Sequence, residues 1–565
     1  MKNQQKIEVN YMIPAACMVF SIIVAGGYFE YASAVLAIVG VAFTVYCIFK
    51  ERAVSYVRDY NTIALFIFTI MYLVTAMWAV DSGMAVMGFV KFLPVIFFYG
   101  IMCRIEKDRE KLIGILPVIG VLIVLFSAIM MQFESLKGYV SVAGRMSGSF
   151  QYPNTFALFL LICLIVALYS NDSLRQKAVY ILGLAIGIIC TGSRTVWIIT
   201  FGTLLILALC NRKYRKLSCC IVIIGIVAIA IALIFAGNSW FAMRLKSISL
   251  SSSTFLGRLL YAKDAMKLIL KHPFGLGYYG YYFMEQEIQT GVYSVVNVHN
   301  ELLQMALDIG IIPAVLFEGM ILRSVFLKKQ LSRNRVILSI IAIHSLFDYD
   351  FQFIGILFVM LLFWDYGKQQ TFRVSSLTYS TAIIFAIVSI SLAGICGISN
   401  LFYVRGAYEK AYAYGKMNTM AQIRQMESES ELEKSVSIAN SILKRNKHVP
   451  ATYSTLAKKY YSEGNIQNYI IYELKAIKLQ PYEINEYIDY VNSLAKAGTE
   501  YINNNDVESA KICLDRMKEV PDILSEVEKQ TSDIAWKIKD KPDLTMPDEY
   551  DELIKSMEEA LNEKK

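Results

Sequence analysis

The chain has 565 residues, of which 56% are hydrophobic, and its mean hydropathy is +0.46. A soluble protein of this length would be more polar, and the apolar residues here occur in blocks of about 18 or more, enough to cross a bilayer core of roughly 30 Å. The composition therefore argues against a soluble protein and predicts an all-α polytopic membrane protein. The formal net charge of +8 does not indicate nucleic acid as a partner, because the cations are concentrated on one side of the predicted spans.

Thirteen segments are predicted to span the membrane. They lie at 11–28, 32–49, 61–80, 84–102, 112–131, 154–170, 176–192, 194–210, 218–237, 300–322, 336–348, 350–366 and 376–400. This order divides the chain into N-terminal spans (1–237), a large outer loop (238–299), C-terminal spans (300–400) and a polar, helix-forming tail (401–565).

The distribution of Lys and Arg predicts the orientation. With a cytoplasmic N-terminus, the inner segments hold 22 of these cations and the short outer loops hold three, Lys137, Arg145 and Arg194. An excess of cations on the cytoplasmic side is the rule for membrane proteins. We therefore expect a bacterial cytoplasmic membrane protein whose large loop and tail lie outside. The ten cysteines form no CxxC pair, so neither disulfides nor a metal site is expected, and no cofactor.

The tail contains one segment that resembles a tetratricopeptide repeat. From Ala451 onward, apolar and aromatic residues recur at the offsets of a 34-residue helical hairpin, with Gly464-Asn465 at the turn and Pro481 at the end. A second, degenerate unit is predicted from Asn485 to Pro521. Such an array could present a surface to a protein partner, or it could pack only on the membrane domain.

Basic or proton-accepting residues recur near the predicted outer ends of spans, in five separate regions of the chain. They are Lys91, Arg145, Arg194, Arg258 and the pair His299-Asn300. Each of them alone could be an interfacial anchor. Together they predict a cationic pocket for an anionic lipid headgroup such as a diphosphate, to which the planar guanidinium of arginine can donate two parallel hydrogen bonds.

The large loop predicts a helix in the membrane interface, from Gly257 to about Leu270, that ends in the turn His272–Gly277. The aromatic cluster Tyr278–Phe283 follows, and it suits either the headgroup belt or the faces of sugars. Of the other polar residues, His272 and His344 are expected to be structural, and Asp348 and Asp350 to be solvated loop residues.

Four short motifs carry a family resemblance. His299-Asn300 is followed by nine residues and Gly310, although Pro313 replaces the second glycine of the pattern. The other motifs are the stretch from Arg145 to Asn154, the turn Thr191-Gly192-Ser193-Arg194, and Arg258 with His272-Pro273 and Gly275-Leu276-Gly277. In this order, and at these places relative to the spans, they resemble the O-antigen ligase/polymerase superfamily over roughly residues 60–365.

The resemblance implies a membrane-embedded glycosyltransferase that needs no metal. Its members transfer a glycan from an undecaprenyl-diphosphate carrier to a hydroxyl of a glycan, lipid or protein acceptor. By this resemblance His299 is the general base, Arg194 and Arg258, with Arg145 and Lys91, bind the donor diphosphate, and Asn300, Asn154 and Gly310 have supporting roles. The choice between ligase and polymerase stays open.

The sequence leaves open one alternative for the role of His299 and two for the function of the chain. His299 could instead cap the helix that follows it, in which case the base is sought among Glu285, Glu287 and Glu301. The whole chain could be a flippase or other transporter of lipid-linked oligosaccharides, although a transporter predicts charges in both leaflets. It could also be a membrane-anchored scaffold, for which thirteen spans are more than an anchor requires.

Overall fold

The computed structural model describes residues 2–105, 108–235, 243–245, 247–249, 251–326, 331–367 and 369–563. It is 76% helical with almost no sheet, which confirms the predicted all-α class. The chain forms two compact units. The first comprises Met1–Ser249, Lys271–Tyr278 and Asn297–Asn418, and the second comprises Leu250–Leu270, Tyr279–Val296 and Thr419–Lys565.

The first unit contains most of the apolar helices. They are α1 (Lys2–Ile23), α2 (Glu30–Glu51), α3 (Tyr60–Val74), α4 (Ser82–Arg104), α5 (Arg109–Met130), α6 (Glu134–Val140), α7 (Pro153–Tyr169), α8 (Leu174–Thr191), α9 (Arg194–Cys210) and α10 (Arg215–Phe235). The large loop then contributes α11 (Ser253–Lys271) and α12 (Gly280–Ile288) to the second unit. The first unit continues with α13 (Glu301–Ile309), α14 (Ile311–Phe326), α15 (Arg333–Ser345), α16 (Ile354–Leu362), α17 (Ser376–Val404) and α18 (Tyr408–Tyr414).

Each of the thirteen predicted spans contains a helix. Six described helices are long and apolar enough to cross a membrane, namely Glu30–Glu51, Tyr60–Met77, Ser82–Arg104, Arg109–Met130, Leu174–Thr191 and Tyr379–Val404. Three shorter apolar helices are Tyr11–Ile23, Pro153–Tyr169 and Arg194–Cys210. The chain is therefore a multi-pass membrane protein, and the full number of spans stays a prediction.

Two short antiparallel ribbons lie among these helices. The strand β1 (Ala53–Val57) pairs with β4 (Gln369–Arg373), and β2 (Ser141–Val142) pairs with β3 (Arg145–Met146). The first ribbon joins two segments that the order of the spans predicts on the same side of the membrane. It is thus compatible with an even number of crossings between residues 57 and 369.

Polar residues fix the ends of the apolar helices. The carboxylate of Asp59 accepts the backbone N–H of Thr62 at the start of α3, and that of Asp81 accepts the N–H of Met84 at the start of α4. Both contacts satisfy a first-turn donor that has no partner inside the helix. Gly192 ends α8 in the left-handed conformation, with φ of 61°, and the chain re-enters a helix at Arg194.

The predicted span 300–322 is two helices, because Gly310 breaks it at φ of +94°. The turn after the loop helix packs against this break. Leu276 N–H donates to the carbonyl of Leu307 at 2.6 Å, and Ile311 N–H donates to that of Pro273 at 3.0 Å. Pro313 lies in the first turn of α14, where its missing N–H removes no intrahelical bond. A proline is therefore compatible with the helix at this position, where the family pattern has a glycine.

The second unit combines part of the large loop with the tail. Its helices are α11 (Ser253–Lys271), α12 (Gly280–Ile288), α19 (Thr419–Ser428), α20 (Leu432–Leu443), α21 (Pro450–Ser462), α22 (Ile466–Leu479), α23 (Ile484–Asn503), α24 (Val507–Lys518), α25 (Val520–Gln530) and α26 (Glu549–Asn562).

The loop and the tail are held together by a small core and by backbone bonding. Leu260 on α11 and Tyr293 bury their side chains with Ala535 and Ile538 of the tail. Ser532 N–H donates to the carbonyl of Thr290 at 2.8 Å, and its hydroxyl accepts from Lys263 at 3.0 Å. Because these segments form one compact unit, the loop and the tail must lie on the same side of the membrane.

Helical hairpins form where the sequence predicted repeat-like units. Helices α21 and α22 meet at Gly464, whose φ is +71°, and Tyr469 is buried in the core of the tail together with Tyr490 and Leu494. Burial and the neighbouring Glu486 raise the pKa of Glu473 to about 8. The assignment of these hairpins to the tetratricopeptide class stays a prediction.

Candidate active site

His299 lies directly before α13 and faces a buried carboxylate. Its Nδ1 is 3.2 Å from Oδ1 of Asp348, and the two side chains are 20% and 2% exposed. The residue that caps α13 is Asn300, whose side-chain oxygen accepts the N–H of Leu303 at 3.0 Å. The structure thus gives the capping role to Asn300, and the alternative that His299 is the cap is wrong.

Asp348 connects three predicted outer segments. Besides His299, it accepts hydrogen bonds from the Tyr152 hydroxyl and from Nδ2 of Asn154, each at 2.8 Å. These contacts explain how a carboxylate is accommodated in the interior, where a buried charge without partners would be costly. Tyr152 and Asn154 stand at the start of α7, so Asp348 holds that helix and His299 in one arrangement.

The expectation that Asp348 and Asp350 are solvated loop residues was wrong, since both are buried. Asp350 contacts Nδ1 of His344 and accepts a hydrogen bond from Thr155 at 2.8 Å. The sequence placed both carboxylates in a short connection between spans, where exposure is the usual outcome. Their partners come from remote parts of the chain, namely His299, the start of α7 and the end of α15, and become neighbours only in the folded protein.

Arg145 is connected to Asp348 through the side chain of Asn154. Its Nη2 donates to Oδ1 of Asn154 at 2.6 Å, and its Nε donates to the carbonyl of Thr191 at 2.8 Å. A guanidinium has five N–H groups, so these two bonds leave most of its donors for other contacts. Arg145, Asn154, Asp348 and His299 therefore form a continuous chain of contacts, of which the sequence predicted all members except Asp348.

Three arginines lie close to one another beside this chain of contacts. Arg194 donates to the carbonyl of Ser247 at 2.6 Å, and Arg244 donates to the carbonyl of Gly192 at 3.1 Å. Burial first, and then the nearby Arg244, lower the pKa of Arg145 to about 10, so Arg145 stays charged at neutral pH. We call Arg145, Arg194 and Arg244 the arginine cluster.

Arg244 has a feature that suits an anionic ligand. Its Nε is buried and has no hydrogen-bond partner within the described ranges. The sequence did not predict this residue, because a single arginine between Met243 and Leu245 matches none of the four motifs. Its position near Gly192 is seen only in the folded chain.

Aromatic rings line the neighbourhood of His299. The ring of Tyr349 meets the imidazole edge-on, with 5.0 Å between the centroids. Tyr152 packs on Tyr349 at 4.8 Å and on Phe353 at 5.9 Å. Flat apolar surfaces beside a polar group are typical of sites that bind organic ligands, and here they also hold the imidazole in position.

Lys91 has a different environment from the one that the sequence suggested. It is 1% exposed on α4, donates to the hydroxyl of Tyr278 at 3.0 Å and lies 3.9 Å from Oε1 of Glu30. Asn400 donates to the other oxygen of Glu30 at 2.7 Å. Glu30 is therefore the counter-ion of Lys91 within the helices. None of these contacts indicates the predicted role of Lys91 in donor binding.

Arg258 lies on α11 and belongs to the second unit, with its side chain half-buried. The same helix carries Asp264, which is buried and accepts from the Thr290 hydroxyl at 2.9 Å and from Tyr293 at 3.0 Å. These bonds fix the helix within its own unit. The role of Arg258 in binding the donor stays a prediction.

The comparisons with known proteins bear on the part of the chain that holds His299. Residues 178–317 match the family model described as O-Antigen ligase. This match confirms the resemblance to the O-antigen ligase/polymerase superfamily. It includes Arg194, Arg258, His299 and Gly310, whereas Arg145 and Asp348 lie outside the matched range. A comparison with curated proteins gave no match.

The O-antigen ligase domain and the apolar helices together support a coarse assignment. They indicate an enzyme of glycosyltransferase type, embedded in a membrane, with a glycan-transferring role in polysaccharide biosynthesis. A lipid-linked glycan donor and an acceptor are the corresponding partners.

Proposed function

We propose that the protein transfers a glycan from an undecaprenyl-diphosphate carrier to an acceptor hydroxyl at the outer face of the cytoplasmic membrane. The observation that carries this proposal is the chain of contacts from His299 through Asp348 and Asn154 to Arg145. It joins a group that can take a proton to a group that can bind an anion, and His299 lies within the range that matches the O-antigen ligase family.

His299 is the general base in this proposal. Because the carboxylate of Asp348 can accept a hydrogen bond from Nδ1–H, Nε2 is the nitrogen left to accept the proton of the acceptor hydroxyl. The hydroxyl oxygen forms a bond to the anomeric carbon of the donor glycan as the bond from that carbon to the diphosphate oxygen breaks. A positioned general base contributes about 10²–10⁴-fold to such a step.

The arginine cluster stabilises the leaving group. As the glycosidic bond to phosphate breaks, negative charge develops on the diphosphate oxygen, and fixed guanidinium groups stabilise that charge without reorganising. The buried Nε of Arg244 offers a donor to this anion. The family resemblance assigns Arg258 to the binding of the same diphosphate. The resemblance also implies that the transfer needs no metal, and we include this in the proposal.

The outer face is favoured by where the site residues lie in the predicted topology. Arg145, Asn154, Asp348 and His299 come from three segments that the positive-inside pattern predicts at the outer ends of spans. Hydrogen bonds and contacts between their side chains bring these three segments together. With the N-terminus in the cytoplasm, the site, the large loop and the tail all lie outside.

The test is a reconstitution of the full chain in liposomes that contain a lipid-diphosphate-linked glycan and a soluble acceptor. We expect the acceptor to gain the glycan while undecaprenyl diphosphate is released. If the lipid-linked glycan instead crosses the bilayer intact and no acceptor is modified, the protein is a flippase and the proposal is wrong. Vesicles without protein give the baseline for both readouts.

A further inference from the structure

The second unit contains a cleft whose walls come from the large loop and from the tail. Its cavity volume is about 210 Å³ and the cleft is partly open to solvent. This volume lies below the roughly 300–1,000 Å³ of sites that enclose a whole drug-sized ligand, so the cleft suits a short segment of a longer ligand. One wall is α12, which lies inside the range that matches the O-antigen ligase family. The other walls are α19, the start of α21 and the end of α22, all in the tail.

The lining combines flat aromatic surface with planar polar groups. Tyr282 and Phe283 lie edge to face, with ring centroids 5.6 Å apart. Gln286 and Gln480 each offer an amide that can both donate and accept. An aromatic face with amides around it can contact the C–H face of a sugar ring and hydrogen-bond to its hydroxyls.

The charges of the lining do not favour an anion. Its two basic side chains each have an acidic neighbour, since Arg424 pairs with Glu427 at 2.8 Å and His448 pairs with Glu287 at 2.8 Å. Desolvation raises the pKa of Glu285 to about 8, so this carboxyl carries a proton at neutral pH and can donate as well as accept. A diphosphate would find no unbalanced positive charge here, whereas an uncharged hydroxylated ligand would find partners of both kinds.

We propose that this cleft is a glycan-binding subsite that holds an uncharged oligosaccharide segment away from the reacting hydroxyl. The proposal rests on the proposed function for the identity of the ligand as a glycan. It gives the tail a role in substrate binding, because His448 and Gln480, which lie next to the ends of tail helices outside the family match, line the cleft.

Equilibrium binding to the full chain in detergent tests the proposal. The probe is a set of oligosaccharides released by partial acid hydrolysis from the surface polysaccharide of the source cells, with inorganic diphosphate as the charged comparator. We expect the oligosaccharides to bind, and Gln480→Ala and Tyr282→Leu each to weaken them about tenfold, or roughly 1.4 kcal/mol. The matched control is Gln530→Ala, an exposed glutamine on α25 that lies outside the cleft, and it should bind like the wild type.

The thermal unfolding midpoint of each variant shows whether it is folded. If Tyr282→Leu is too unstable to measure, Tyr282→Phe is used instead, and it should bind like the wild type because it keeps the aromatic face. A competition with the lipid-linked donor then shows whether the glycan in the cleft belongs to the donor or to the acceptor. Displacement of the oligosaccharides assigns the cleft to the donor glycan, and no displacement assigns it to the acceptor. The proposal is overturned if the oligosaccharides fail to bind, as expected for a cleft that takes a protein partner, or if they bind Gln480→Ala as tightly as the wild type.

This experiment separates the two proposals. Oligosaccharide binding without any transfer activity would support the subsite and contradict the proposed function. Transfer activity without oligosaccharide binding would contradict the subsite alone. Because His299 does not line the cleft, His299→Ala should bind the oligosaccharides normally.

Discussion

At the scale of single residues, the proposed mechanism gives Asp348 the role of fixing which nitrogen of His299 carries a proton. Asp348→Asn removes the negative charge that stabilises the protonated imidazole and can present an amide N–H to Nδ1, which favours the wrong tautomer. We expect the rate of transfer to fall by about 10²–10⁴-fold, with little change in donor affinity. Single-turnover transfer and donor binding, measured on the same preparation, check this.

A matched variant distinguishes catalysis from structure. Asp350 is equally buried and also contacts a histidine, His344, but it is not a neighbour of His299 in this chain of contacts. Asp350→Asn should lower the thermal unfolding midpoint and leave the pH profile of transfer unchanged. If Asp348→Asn behaves in the same way, its carboxylate supports the fold and not the base.

Sequence alone predicted His299, Asn154 and Arg145 because each stands in a motif with fixed spacing. It did not predict Asp348 or Arg244. A carboxylate next to a span and an isolated arginine in a long loop look like ordinary surface residues until their neighbours are known. Partners that come from segments nearly 200 residues apart, as for Asp348 and Asn154, leave no local pattern in the sequence.

At the scale of elements, Gly310 sets the direction of α14. Its φ is +94°, and an added Cβ would lie 2.9–3.0 Å from the backbone of Phe274 and Pro273. Gly310→Ala should therefore destabilise the first unit, by about 1–3 kcal/mol for the strained conformation alone. Thermal unfolding in detergent measures this. Gly114→Ala, at a helical position with open space around it, should be neutral or slightly stabilising, and an equal loss in both variants would contradict the argument.

The helices themselves were largely predictable, since every predicted span contains a helix. The break at Gly310 was not, because the apolar run continues through it. Glycine is tolerated inside many spans, and only the approach of the turn His272–Gly277 requires a backbone without a side chain there. The burial of Lys91 was missed for a related reason, since its partners Glu30 and Tyr278 come from remote parts of the chain.

At the scale of the whole molecule, the packing of loop and tail in one unit constrains the topology. Both must lie on one side, and the loop cations predict that side to be the outside. An impermeant thiol reagent should label Ser251→Cys and Ser428→Cys in intact cells, above the level of the ten native cysteines of the wild type. Both positions are exposed, as is the control Asp172→Cys in a predicted inner loop, which should be labelled only after lysis.

Labelling of Ser251→Cys but not Ser428→Cys in intact cells would mean that the loop and the tail are on opposite sides. That result would contradict the compact second unit as well as the orientation. If neither variant is labelled before lysis, the loop and the tail are still on one side, as the compact unit requires, but that side is the cytoplasm. The site would then face the cytoplasm.

The central claim is that His299 takes the proton of the acceptor, and the rate of glycan transfer by a pair of His299 variants tests it most directly. His299→Ala and His299→Asn should both reduce transfer from the lipid-diphosphate donor by at least about 10²-fold, while donor binding and thermal stability stay close to those of the wild type. Asparagine preserves a polar side chain but is a poor base, and Asn300 already caps the helix. Near-native transfer by His299→Asn would contradict the account and remove His299 from the mechanism.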